Sequence, residues 1–345
     1  MSIRDTNLDL YLKQLQNIFP GIDLTSASSL YNGAEARSGH IILSNVSEAF
    51  KQNLKLKKNT TLIHYTSVAA MLNIINDQYF RLYNCFNLND PREVEYANNK
   101  YSMGFTEDEI VEIKQNYFVG SFCEYDINLQ NEDFNQWRLY GNNGNGAALV
   151  FEIENIEERW ENFFIGKICY DESNEIVYRF KKFIRFHKEF NEKYKLFENT
   201  PEILSAITLH FKDEIWKVEN EFRLFTSCPF DKYTFENKFF GNQNSFLSGK
   251  VEHTINRNGE FVSYIPLPLN KEREMKDLQM RGLNDEHAKY FFSSIPHLKL
   301  KEIILGYNVS LDIFHNMDKL LDFYFKKDRL GRINLKFSSL KKKFN

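Results

Sequence analysis

Thr61-Leu62-Ile63-His64-Tyr65-Thr66, followed by Ser67 and the apolar set Val68, Met71, Leu72 and Ile75, reads as a strand joined tightly to a helix. β-branched and aromatic residues crowd the first six positions, which favours a pleated, half-buried segment. Ser67 supplies a side-chain oxygen of the kind that caps a helix N-terminus, and the apolar residues after it recur at helical spacing. Side chains alternate along a strand, so His64 and Thr66 share one face while Ile63 and Tyr65 share the other. A strand with one apolar face thus presents polar chemistry on its opposite face.

The reading extends outward in both directions. Downstream, Phe80-Arg81-Leu82-Tyr83 is a short strand candidate, and Phe86 to Pro91 is a polar turn leading into an acidic helical stretch with Glu93 and Glu95. Further strands are expected at Phe118 to Cys123, Ala147 to Ile153, Glu219 to Phe225, Phe261 to Ile265, Glu302 to Leu305 and Ile333 to Phe337. Helical patterns occupy roughly residues 176 to 214 and Leu311 to Phe325. Upstream, Leu8, Tyr11, Leu12, Leu15, Ile18 and Phe19 form an amphipathic stripe stopped by Pro20-Gly21. Residues 25 to 39, rich in Ser, Ala, Gly and Asn, read as a loop, followed by the basic strip Lys55, Lys57 and Lys58. No repeat or low-complexity linker divides residues 60 to 340. The expected organisation is a helical extension over 1–58, one α+β domain over 59–340 and a basic tail over 341–345.

Composition narrows the function classes. With 345 residues, 42% hydrophobic and 26% charged, the chain has ample material for a core, which excludes disordered, collagen-like and small disulfide scaffolds. A formal net charge of −3 gives no overall field toward nucleic acid or anionic lipid, although a local basic patch is compatible with it. Cys85, Cys123, Cys169 and Cys228 lie far apart and form no C-x-x-C, so they read as reduced, mostly buried thiols. The N-terminus lacks the continuous apolar run of a signal peptide, and no eighteen apolar residues occur together. These features point to a soluble, cytoplasmic protein without membrane association.

Three strands carry polar faces whose composition is unlike a plain solvated surface. One bears His64 and Thr66, a second Ser121 and Cys123, and a third Glu219, Glu221 and Arg223 opposite Phe222 and Leu224. Taken singly, each is more often a solvated edge, and His64 alone is more often a satisfied core histidine. Trp137 and Trp216 read as core anchors, Asn89-Asp90-Pro91 as a turn and helix cap, and Lys341-Lys342-Lys343 as a solvated end.

His64-Tyr65-Thr66, Phe86-x-x-Asn89-Asp90-Pro91-x-Glu93, Trp137-x-x-Tyr140-Gly141-x-x-Gly144-x-Gly146, Trp216-x-x-Glu219-x-Glu221-x-Arg223 and Glu302-Ile303-Ile304-Leu305-Gly306 together resemble, in order, a bacterial family catalogued only as a domain of unknown function. More distantly, the strand ending in His-x-Thr, the helix directly after it and the late strand bearing Glu resemble the ADP-ribosyltransferase superfamily, including its DNA-modifying toxins and poly-ADP-ribose polymerases. That resemblance implies an ADP-ribosyltransferase-like split antiparallel β-sandwich with flanking helices, and NAD as substrate. By position it implies that His64 and Thr66, with Tyr65 beside them, anchor NAD. Ser121 stands where the second strand's Ser or Thr lies in the toxin branch. Glu221 becomes the catalytic carboxylate and Glu219 the first of an E-x-E-like pair, with the choice between them open. Tyr140 is the candidate stacking ring, with Tyr83 competing, and Arg223 and Asn89 are further candidate contacts. No Arg corresponding to the superfamily's first motif precedes His64, and the long spacing from His64 to Glu221 implies insertions.

The implied function is NAD-dependent ADP-ribosyl transfer to RNA, DNA or a protein acceptor, in an intracellular toxin or anti-phage effector that an antitoxin partner would restrain. Breaking the ribose–nicotinamide bond passes through an oxocarbenium-like state, and nicotinamide leaves neutral, so no general acid is required and no metal is expected. Two other classes stand beside it: a non-catalytic nucleic-acid or protein-binding module of the same fold, and a metal-dependent nuclease using Asp90, Glu93 and Glu95. Phosphate-loop, dinucleotide-binding, zinc-protease and serine-hydrolase motifs are absent.

Overall fold

A computed structural model describes residues 3–19, 23–32, 35–44, 60–88, 92–154, 163–170, 175–195, 208–227, 251–255, 259–269, 275–276, 295–328 and 333–344. In chain order its elements are α1 (Ile3–Ile18), β1 (Asp23–Asn32), β2 (Glu35–Ser44), β3 (Thr61–Thr66), α2 (Val68–Asp77), β4 (Tyr79–Asn84), α3 (Glu93–Tyr101), α4 (Glu107–Asn116) and β5 (Tyr117–Tyr125). There follow α5 (Phe134–Leu139), β6 (Ala147–Ile153), β7 (Phe163–Lys167), α6 (Glu175–Tyr194), β8 (Glu221–Ser227), β9 (Glu252–Ile255), β10 (Phe261–Pro268), β11 (Leu298–Leu305), α7 (Leu311–Asp328), β12 (Asn334–Phe337) and α8 (Lys341–Phe344). The chain is α+β.

Strands β3 to β12 form one ten-stranded sheet in the order β12-β11-β6-β3-β5-β4-β10-β9, with β8 branching from β5 and β7 from β8. Every pairing in it is antiparallel except β11 with β12. The branch at β5 makes the cleft. Toward its C-terminal end β5 pairs with β3, Cys123 opposite Ile63, and toward its N-terminal end it pairs with β4, Val119 opposite Tyr83. Between those contacts β3 and β4 diverge. From His64 onward β3 pairs only with β6, and below Tyr83 β4 pairs only with β10. A gap therefore opens over Gly120, Ser121 and Phe122.

Three apolar clusters hold the sheet. Alternation puts Leu62, Phe118, Phe122, Phe222 and Leu224 on one face, under Met71 and Ile75 of α2 and Met317 and Leu321 of α7. On the opposite face, Tyr117, Val119 and Phe225 pack under α1, α3 and α6, while Ile63, Tyr65, Val150 and Ile304 pack around Trp137. The stretch of sheet between these last two clusters carries charge.

Several expectations are met closely. Ser67 accepts a hydrogen bond from Ala70 N (3.1 Å) at the start of α2, and the strand at Ala147–Ile153 has the expected limits. Others are corrected. Residues 25 to 39, read as a loop, fall largely within the antiparallel pair β1–β2, for which Asn32-Gly33 was the available hairpin signal. Of the helical region read over roughly 176 to 214, α6 covers Glu175–Tyr194, and residues 196–207 lie outside the described residues. Helix α1 packs through its apolar stripe, Tyr11, Leu15 and Phe19 sharing a core cluster with Phe180 and Phe183 of α6. The tail is not simply solvated either: Lys341 Nζ lies 3.7 Å from the Phe337 ring centroid and donates to the Val309 carbonyl (2.5 Å). Cys85, Cys123 and Cys169 are buried thiols, while Cys228 and Lys55, Lys57 and Lys58 lie outside the described residues.

Candidate functional site

The gap between β3 and β4 is a cavity of about 390 Å³ whose lining includes His64, Thr66, Tyr83, Ser121, Tyr140, Lys212, Glu219 and Glu221. His64 reaches it because β3 has just left β5. Its Nδ1 lies 2.9 Å from the Ser121 carbonyl oxygen, a backbone acceptor that the diverging strands leave open. The ring is wedged edge-on between Phe80 and Phe122, at centroid distances of 5.0 and 5.9 Å. Burial among these rings lowers the imidazole pKa from its ordinary value, opposed in part by the bond to Ser121, so the neutral form is favoured.

Local structure between residues 208 and 227 gathers the charges. A bridge between Cys169 and Phe211 fixes the chain beside Lys212, whose N–H donates to the Cys169 carbonyl (3.3 Å). Asp213 then caps a 3₁₀ turn over Glu214–Glu219 by accepting from Ile215 N. Asn220, in the left-handed region at φ 44°, turns the chain into β8. Glu219 and Glu221 therefore do not share a continuous strand, as their alternation with Arg223 suggested. The turn nevertheless brings both carboxylates to the same lysine.

The result is a buried cluster of three carboxylates and two cations. Lys212 Nζ lies 2.7 Å from Glu93, 2.7 Å from Glu219 and 2.8 Å from Glu221. Arg223 contacts both oxygens of Glu221, at 2.9 and 3.0 Å, and also Glu93 at 2.8 Å and the Leu209 carbonyl at 2.9 Å. Ser121 Oγ donates to Glu221 Oε1 (2.5 Å), and the Tyr140 hydroxyl donates to Glu219 Oε1. Gln136 Nε2 holds the Glu219 carbonyl at 2.7 Å, and Glu221 N donates to the Tyr170 hydroxyl at 3.1 Å. Burial alone would raise the Glu221 pKa, but the adjacent Arg223 and Lys212 charges outweigh it and bring it down to about 2. With every member ionised, the cluster carries one net negative charge.

Of the residues singled out in the sequence, His64, Thr66, Ser121, Tyr140, Glu219 and Glu221 meet at the cleft, as does the competing ring of Tyr83. Two are corrected. Tyr65 borders the cleft, but it is buried in the apolar cluster around Trp137, edge-on to that ring at 5.0 Å, and its hydroxyl accepts from Asp133 N. Arg223, expected to touch a cofactor, is fully buried behind Glu221 and positions that carboxylate instead. Asn89, with Asp90 and Pro91, lies outside the described residues. Trp137 is a core anchor, whereas Trp216 is half-buried with Lys212 Nζ 5.9 Å from its ring. Lys212 was missed because its neighbours read as the end of a long helix. Nothing in the sequence around Glu93 signals its link to Arg223, 130 residues away.

Of the acids considered for a nuclease, Glu93 joins the charge cluster and Glu95 pairs with Lys114 at 2.7 Å, while Asp90 lies outside the described residues. Among the described residues no group of three or more His, Cys, Asp or Glu is arranged to hold a metal ion, and no helix is long and apolar enough to cross a membrane.

Residues 136–224 match the family model described as Protein of unknown function (DUF2971). The matched segment runs from Gln136 into β8 and contains Tyr140, Lys212, Glu219, Glu221 and Arg223, the larger part of the charge cluster. His64, Ser121 and Glu93 come from outside it. No curated protein and no solved structure matches the chain.

Proposed function

We propose that the cleft takes NAD as substrate and breaks its ribose–nicotinamide bond, passing ADP-ribose to a nucleic-acid or protein acceptor on an ADP-ribosyltransferase-like frame. The observation that carries this is the convergence of His64, Thr66, Ser121, Tyr140 and the Glu219–Glu221 pair, remote in sequence, on one cleft with an anionic floor. In this reading neutral His64 and Thr66 hold the sugar, Tyr140 or Tyr83 stacks on the nicotinamide, and Glu221 faces the reacting ribose. A carboxylate held ionised stabilises the positive charge that develops as the bond breaks. With a pKa near 2, Glu221 is a poor proton acceptor at neutral pH, so it acts through its charge and the acceptor's proton leaves to water. A toxin or anti-phage role in the cytoplasm extends this reading by resemblance, with an antitoxin as its partner.

Purified protein incubated with nicotinamide-labelled NAD, alone and with RNA, DNA or cell lysate, should release nicotinamide, and Glu221→Gln should lower the rate at least about a hundredfold, as loss of a preorganised electrostatic group does. Absence of both NAD binding and release from wild type under all of these conditions removes the transferase reading. The mutual pairing of the five buried charges favours one second reading, a binding module with the same cleft. NAD binding without any release would select it.

A further inference from the structure

Helix α6 buries Val177, Phe180, Phe183, Ile184, His187 and Phe190 and turns a different chemistry outward. Between Tyr178 and Lys188 its sequence has five cations, Arg179, Lys181, Lys182, Arg185 and Lys188, and no Asp or Glu. In a chain of formal net charge −3 this is a local concentration of positive charge. Lys181, Lys182, Arg185 and Lys188 are exposed. Among the described residues no acid lies in ion-pair contact with Lys182, Arg185 or Lys188, and Lys188 donates to a neutral group, the Ser102 carbonyl (2.7 Å). Tyr178 stands at the head of this face, 69% exposed.

We infer that the outer face of α6 docks a single strand of nucleic acid, its cations following phosphates and Tyr178 stacking on a base. The exposed ring of Tyr178 at the end of the run of cations selects this ligand over an acidic peptide, since single strands are held by bases stacked on aromatic rings beside cations that follow the phosphates. From Lys181 to Lys188 the helix rises about 10 Å, enough for a few phosphates and not for a long tract. The same helix packs Phe180 against Phe211, the neighbour of Lys212, with ring centroids 4.9 Å apart. Naming nucleic acid as the acceptor rests on the transfer reading of the cleft, but binding at α6 does not. Assays without NAD keep the two failures apart.

The test is fluorescence anisotropy of a labelled twelve-nucleotide RNA and its DNA counterpart, titrated with full-length protein from 50 to 200 mM salt. Four phosphate contacts predict a slope of log affinity against log salt of about −3 for single strands. Reversing the solvent-facing charges in Lys182→Glu/Arg185→Glu/Lys188→Glu should weaken binding at least tenfold and flatten that slope. Tyr178→Ala should weaken it about fivefold or more with the slope unchanged. Circular dichroism of each variant checks that α6 is retained. Failure of wild type to bind at 50 mM salt, equal binding by the folded triple variant, or equally effective competition by poly-glutamate would overturn the inference, whatever the protein does to NAD.

Discussion

Glu221 is the residue at which folding and chemistry meet. Its carboxylate is 3% exposed, yet Ser121, Lys212 and Arg223 surround it closely enough to keep it ionised. A buried ion pair gains little over a hydrophobic one, but removing one partner leaves the others stranded. The folded-state pKa of about 2 lies below the ordinary value of 4.5, so this group's contribution to stability is fully present above pH 4.5 and is lost as pH falls through about 2. The shift corresponds to about 3 kcal/mol. In Glu221→Gln that acid-labile contribution is absent, and neutral-pH stability drops by about 3–5 kcal/mol because Arg223 and Lys212 lose a shared counter-charge. Urea unfolding at pH 7 and at pH 3 measures both. Equal stability of wild type and variant at pH 7 would show that the cluster is looser than these distances imply.

At the scale of elements, the cleft depends on where backbone passes backbone. The turn from Tyr140 to Gly146 crosses the end of β3 so closely that a Cβ on Gly146 would lie 2.3 Å from the Thr66 carbonyl and 2.7 Å from that of Gly141. Neither neighbour is a side chain that can swing aside. Gly146→Ala should therefore cost about 1–3 kcal/mol and displace Thr66 and Tyr140 together, weakening NAD binding as well as stability. A variant that unfolds like wild type and binds NAD equally well would refute the tight crossing. The sequence made one half of this architecture legible. The strand Thr61–Thr66, its Ser67 cap and the strand Ala147–Ile153 were readable because their signals are local: alternation, a cap, an apolar run. The branch at β5 was not, since nothing in Tyr117–Tyr125 says that one strand edge will serve β3 and β4 in turn. Lys212 was hidden for the same reason. Of its three carboxylates, Glu219 and Glu221 arrive through the local turn, but Glu93 is brought near only by the tertiary fold.

For the molecule as a whole, the question is what unites the first helix with the rest. Tyr11 and His187 form a buried hydrogen bond of 3.0 Å between α1 and α6, inside a cluster that includes Phe183 and Phe190. Burial, helped by the neighbouring charge of Lys188, lowers the His187 pKa from 6.5 to about 4. The unfolded chain therefore binds this proton more readily than the folded one between those values, and the associated stability is present above pH 6.5 and lost as pH falls toward 4. Between pH 7 and pH 5 the loss from this one group is about 2 kcal/mol. His187→Gln keeps a polar side chain facing Tyr11 but cannot gain a charge in this range, so its unfolding free energy should fall less over the same two pH units, by about that amount. Parallel urea titrations at the two pH values decide it. Identical pH dependence in the two proteins would mean that imidazolium is accommodated between the helices, and that α1 is held more loosely than its burial against Phe180 and Phe183 implies.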